Sequence, residues 1–139
     1  MSETGQHKVL IIEDEDLIAR MYEKTLTFDG FEVEVAIGGK DGLEKAVNFK
    51  PDLILLDIMM PEPDGMEVLE TLKRKPDTSG IPVVMLTNLS GKQDAELAIE
   101  KGAVEYWIKK EAKSRELGEK IKNIISRSQS IPSSPVASE

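Results

Sequence analysis

Asp52-Leu53-Ile54-Leu55-Leu56-Asp57-Ile58-Met59-Met60-Pro61 reads as an apolar strand that ends on a carboxylate, and this stretch decides the fold. Burying that charge is costly unless a cation or hydrogen bonds meet it. Upstream, Val9-Leu10-Ile11-Ile12 runs in the same way into Glu13-Asp14-Glu15-Asp16. If the two strands are parallel neighbours, Glu13, Asp14 and Asp57 meet at one sheet edge, where hard oxygen ligands favour Mg²⁺ over softer metals. Asp57 is then either a ligand or a nucleophile.

Working outward, apolar blocks rich in Val, Ile and Leu alternate with helix-like segments, the pattern of a parallel sheet covered on both faces. Strands are expected at Lys8–Ile12, Phe31–Ala36, Leu53–Asp57, Val83–Thr87 and Val104–Lys109. The second carries Glu32 and Glu34 on one face, which suits an exposed edge. The first helix, Asp16 to Phe28, is expected to bury a stripe of Leu17, Ile18, Met21, Thr25 and Phe28 before stopping at Asp29-Gly30. The second, near Lys40 to Phe49, presents Leu43, Ala46 and Val47 and cannot continue through Pro51. A third, Gly65 to Lys75, presents Met66, Val68, Leu69 and Leu72. A fourth opens on a capping-box-like Ser90-Gly91-Lys92-Gln93 and closes at Gly102, and a fifth spans Ser114 to about Arg127.

The length of 139 residues with 40% hydrophobic content supports one domain with a proper core. It is expected to occupy residues 1–127, followed over 128–139 by a disordered Ser/Pro-rich tail with little apolar surface to order it. A net charge of −8 disfavours direct binding to nucleic-acid phosphates. The chain has no cysteine, so disulfides and thiolate metal sites are excluded. No apolar run of membrane-spanning length and no signal-peptide pattern is present, so a cytoplasmic protein without membrane contact is expected.

Taken singly, the chemistry-bearing residues have ordinary explanations. Glu13 and Asp14 can start a helix, where the dipole favours acids. Asp57 can shape a turn, Thr87 end a strand as a β-branched residue, Tyr106 pack against a helix and Lys109 be a solvated charge. His7 reads as a surface residue and Trp107 as packing, while Met59, Met60, Met66 and Met85 read as fillers of core or loop gaps.

Their joint order and spacing say more. Glu13-Asp14 after the first strand, Asp57 followed by Met60-Pro61 and Asp64-Gly65, Thr87 ending the fourth strand, and Tyr106 with Lys109 in the fifth resemble the receiver domains of two-component signalling over residues 7 to 127. The resemblance implies a doubly wound, flavodoxin-like α/β fold with five parallel strands in order 2-1-3-4-5 and a site at their carboxyl ends. It implies Asp57 as phosphoryl acceptor, with Mg²⁺ held directly by Asp14 and Asp57, through water by Glu13, and by the backbone carbonyl of Met59. Lys109 would bring positive charge to the carboxylate or phosphoryl oxygens and Thr87 a hydroxyl, and a shift of Thr87 would let Tyr106 turn inward. Implied partners are a sensor histidine kinase or histidine phosphotransfer domain, and a downstream protein on the face made by the fourth helix, fifth strand and fifth helix. The oligomeric state implied is a monomer or a weak phosphorylation-dependent dimer, as a stand-alone receiver or a piece of a larger regulator.

Two departures bear on tuning. Lys110 stands where the family usually has proline, and Asn88 replaces the small residue that commonly follows the switch hydroxyl. The resemblance implies that Met59 and Leu89, two beyond Asp57 and two beyond Thr87, are the side chains best placed to orient or block a hydrolytic water. Two rival readings remain at this point. One is a degenerate receiver that binds partners without phosphorylation. The other is a Mg²⁺-dependent aspartyl-phosphate phosphatase, against which Met59 counts because such enzymes carry a second acid two residues after the nucleophile.

Overall fold

The computed structural model describes residues 6–87, 92–108 and 114–130. Elements follow in the order β1 (Lys8–Ile12), α1 (Asp16–Phe28), β2 (Glu32–Ala36), α2 (Gly39–Phe49), β3 (Leu53–Asp57), α3 (Gly65–Arg74), β4 (Val83–Thr87), α4 (Lys92–Glu100), β5 (Glu105–Ile108) and α5 (Ser114–Ser130). The strands form one parallel sheet in the order β2-β1-β3-β4-β5, as expected. β2 lies at an edge with Glu32 and Glu34 exposed, which accounts for its alternation.

Strand side chains alternate between faces, so each central strand feeds two cores. Val9, Ile11, Leu53 and Leu55 pack with α1 and α5, joined by Trp107, Leu117, Ile121, Ile124 and Ile125. Leu10, Ile12, Ile54 and Leu56 pack on the opposite face with Ala46, Val68, Leu69, Leu72 and Ala98 of α2, α3 and α4. Because helices cover both faces, β3 and β4 are buried at every residue, which is why they read as unbroken apolar runs.

The stripe expected on α1 is the wrong one. Ala19, Tyr22 and Leu26 are the buried residues, whereas Leu17, Met21 and Phe28 are 84%, 56% and 90% exposed. Both sets have helical spacing and share the half-buried borders Ile18 and Thr25. The sheet takes the set containing Ala19, which admits close approach, and the apolar body of Tyr22. Met59 is corrected likewise: it is 60% exposed rather than filling a gap, while Met60 and Met85 are buried.

Helix ends moved less. A capping box forms at Asp64, where the Glu67 amide donates to Asp64 Oδ1 and the Asp64 amide to Glu67 Oε1, both at 2.9 Å. The capping-box residues expected at Ser90 and Gly91 lie outside the described residues. α5 runs on to Ser130, and residues 131–139 of the expected tail are outside the described part.

Candidate functional site

β1 has β2 on one side and β3 on the other, so the crevice where the strand order reverses opens beyond the carboxyl ends of β1 and β3. Register then decides which side chains line it. Ile12 pairs with Leu56, so the next residues, Glu13 and Asp57, stand side by side. Asp57 pairs with Leu86, and Thr87 with Ile108, which carries the same edge across β4 and β5.

One carboxylate oxygen from each of Glu13, Asp14 and Asp57 lies within 4.8 Å of the other two. Glu13 and Asp57 are buried and Asp14 is half-buried, so their like charges are shielded by little water. Backbone groups hold two of them. The Glu13 amide donates to the Ala36 carbonyl at 3.0 Å, and Glu13 Oε2 accepts from the Glu15 amide at 3.4 Å. The Met59 amide donates to Asp57 Oδ1 at 3.1 Å and fixes the rotation of that carboxylate. An all-oxygen set of this kind suits a hard divalent cation, which would offset the repulsion among the carboxylates.

Thr87 is fully buried at the end of β4. Tyr106, opposite Met85 on β5, is half-buried and packs against the α3–α4 core. Burial, and then the charge of Asp94 in the first turn of α4, push the Tyr106 phenol above the ordinary tyrosine range. Asp94 was not singled out from the sequence, since an acid in a first turn is ordinary there. Trp107 is buried on the other face of β5, as packing requires, and His7 is partly exposed with Nδ1 3.8 Å from Asp52 Oδ2. Lys109, Lys110, Asn88 and Leu89 lie outside the described residues.

The site thus offers a clustered acid set, a buried hydroxyl on the adjoining strand and an aromatic ring beyond it. Residues 9–122 match the family described as the response regulator receiver domain, and the chain belongs to that family of two-component signalling proteins. It is 35% identical over 132 residues, 95% of this chain, to the DNA-binding dual master transcriptional regulator RpaA of Synechocystis, of which the match covers 54%. It is 39% identical over 102 residues, 73% of this chain, to the response regulator PleD of Caulobacter vibrioides, of which it covers 22%. This chain therefore spans about half, or less, of the length of these relatives. Among solved structures, a CheY-like response regulator receiver domain protein from Methanospirillum hungatei superposes with a TM-score of 0.81 at 30% identity, covering 90% of this chain and 98% of the other. Among the described residues, no helix is long and apolar enough to cross a membrane.

Proposed function

We propose that the chain accepts a phosphoryl group on Asp57 from a phosphohistidine of a sensor kinase or phosphotransfer domain, and that the modified domain signals through α4, β5 and α5. The observation that carries this reading is the convergence of Glu13, Asp14 and Asp57 at the sheet's switch point.

In the transfer, an Asp57 carboxylate oxygen forms a bond to phosphorus as the bond from phosphorus to the donor's imidazole nitrogen breaks and the imidazole departs. Asp14, Asp57 and the Met59 carbonyl are the groups proposed to bind Mg²⁺ directly, and Glu13 through water. When bound, the ion neutralises carboxylate charge and polarises the phosphoryl oxygens. The Met59 amide keeps the nucleophile from rotating away from its donor. Thr87 supplies a hydroxyl and Lys109 a compact positive charge to the phosphoryl oxygens. Tyr106, with an apolar ring and a polar tip, is the element that reports the change at Thr87 to α4.

The test is incubation with acetyl phosphate, with and without Mg²⁺, followed by intact mass. One phosphoryl adduct that needs the metal supports the reading, and no adduct in either arm rejects it in favour of a phosphorylation-independent interaction module. Beryllofluoride should also shift amide signals across Ala95–Gly102 and Glu105–Lys109, and shifts confined to the loops around Asp14 and Asp57 would reject the proposed output face.

A further inference from the structure

We propose that Gly39, in the first turn of α2, is a positioning residue for the acceptor loop, residues 58–64, and through it for Asp57 and its metal site. This rests on the function proposed above in its metal arm, but its geometric arm stands alone.

The loop is held from two sides by glycines. On one side, a Cβ at Gly65 would lie 2.4 Å from the Asp57 carbonyl oxygen and 2.5 Å from Ile58 Cα, so the start of α3 is pressed onto the backbone of the acceptor. The Gly65 amide donates to the Ile58 carbonyl at 3.2 Å and closes the loop on itself. On the other side, a Cβ at Gly39 would lie 2.6 Å from the Pro63 carbonyl oxygen, 2.8 Å from Pro63 Cγ and 2.7 Å from Val68 Cγ2. Gly38, at φ +106°, adopts a backbone conformation that L side chains rarely take, and this turn delivers Gly39 to the contact.

What gives way when a methyl group is added at residue 39 decides the consequence. The Pro63 oxygen is backbone, so no rotamer change relieves it. α2 is anchored behind the contact: Gly42 lies against Ile12, Ala46 is buried, and Lys45 Nζ donates to the Val35 carbonyl at 2.7 Å. The loop, by contrast, exposes Met59, Pro61 and Glu62. The loop is therefore the side that moves. It carries the Met59 amide that holds Asp57 Oδ1 and the carbonyl proposed as a metal ligand. The three atoms nearest a Cβ at Gly39 belong to Pro63 and Val68 and not to the acids, so its effect on them would pass through the loop.

The experiment compares wild type, Gly39→Ala and Gly118→Ala. Gly118 is the control for a glycine-to-alanine change in a helix, because a Cβ there would lie 2.4 Å from Asp29 Oδ2 on the α1–α5 side of the sheet, a clash that rotation of the Asp29 side chain relieves. In metal-free protein, Gly39→Ala should shift the Met59 and Asp57 amide signals and Gly118→Ala should not. In a Mg²⁺ titration, Gly39→Ala should raise the Kd roughly 10- to 100-fold, the usual cost of disturbing a supporting contact, and Gly118→Ala should leave it unchanged. Should Gly39→Ala not fold, Gly39→Ala with Val68→Ala, which keeps the carbonyl clash and removes the Cγ2 one, is measured against Val68→Ala alone. Unmoved amides at Met59 and Asp57 overturn the proposal. If wild type itself binds no Mg²⁺, the functional reading falls, and the metal-free amide comparison still decides the positioning role.

Discussion

The Met59 amide donates a 3.1 Å hydrogen bond to Asp57 Oδ1, so the residue that follows the end of β3 by two positions orients the carboxylate at that end. A backbone donor to a buried carboxylate is stronger than a neutral hydrogen bond and costs no side-chain entropy. The identity of residue 59 is thereby freed from that task. Its side chain is 60% exposed, and on the proposed function it is expected to govern access to the phosphorus.

The lifetime of the phosphorylated state should follow from that access. Hydrolysis needs a water aligned behind phosphorus, and neither Met59 nor Leu89 can orient one strongly. Self-dephosphorylation is expected to be slow. After removal of the phosphodonor, the adduct should disappear faster in Met59→Asn combined with Leu89→Glu, and equal decay in the two proteins would place control of lifetime elsewhere.

Asp14→Asn should separate metal binding from stability. Removing one of three crowded carboxylates is expected to weaken Mg²⁺ binding at least about ten-fold, while stabilising the metal-free protein by about 1 kcal/mol. Calorimetry and denaturant unfolding give the two numbers. Equal Mg²⁺ affinity for variant and wild type would remove Asp14 from the ligand set.

The pH dependence of Tyr106 has a defined sign. Burial first, and the Asp94 charge second, raise its pKa, so the fold favours the neutral phenol. Below the ordinary tyrosine value of about 10 both folded and unfolded chains hold that proton, and stability is insensitive to it. Above that value the unfolded chain ionises first, and the contribution is lost as pH rises through the folded pKa. Asp94→Asn should lower the midpoint of the Tyr106 ring signals yet leave it raised by burial. An unchanged midpoint would mean that Asp94 does not act on the ring.

The two candidate stripes of α1 differ in energy as well as exposure. Leu26→Ala, fully buried, should cost about 3 kcal/mol, whereas Leu17→Ala should stay within about 0.5 kcal/mol of wild type. Comparable losses at both positions in denaturant unfolding would contradict the observed packing.

That stripe shows where sequence reading reaches its limit. β3 and β4 were legible because both faces are buried and the chain writes them as continuous apolar runs, and the acids at Glu13, Asp14 and Asp57 were legible because each ends such a run. In α1 the larger side chains Leu17, Met21 and Phe28 outweigh Ala19 and Tyr22 on any hydrophobic count, although the sheet selects for fit. The start of α3 at Gly65 is legible, but its capping box, spelled Asp64-Gly65-Met66-Glu67, is masked by the same residues' place in the family motif. The approach of Gly39 to Pro63 joins separate elements, and the charge of Asp94 on α4 acts on Tyr106 of β5; no local pattern encodes either.

The central claim is that Asp57 alone carries the phosphoryl group, and the most direct measurement is to locate the adduct. Protein treated with acetyl phosphate and Mg²⁺ is reduced with borohydride, which converts an aspartyl phosphate to homoserine, and its peptides are mapped by mass. The account predicts homoserine at residue 57 in wild type and at no residue in Asp57→Asn. Homoserine at Asp14 or at any other acid in wild type, or an adduct at the wild-type level in Asp57→Asn, would contradict it.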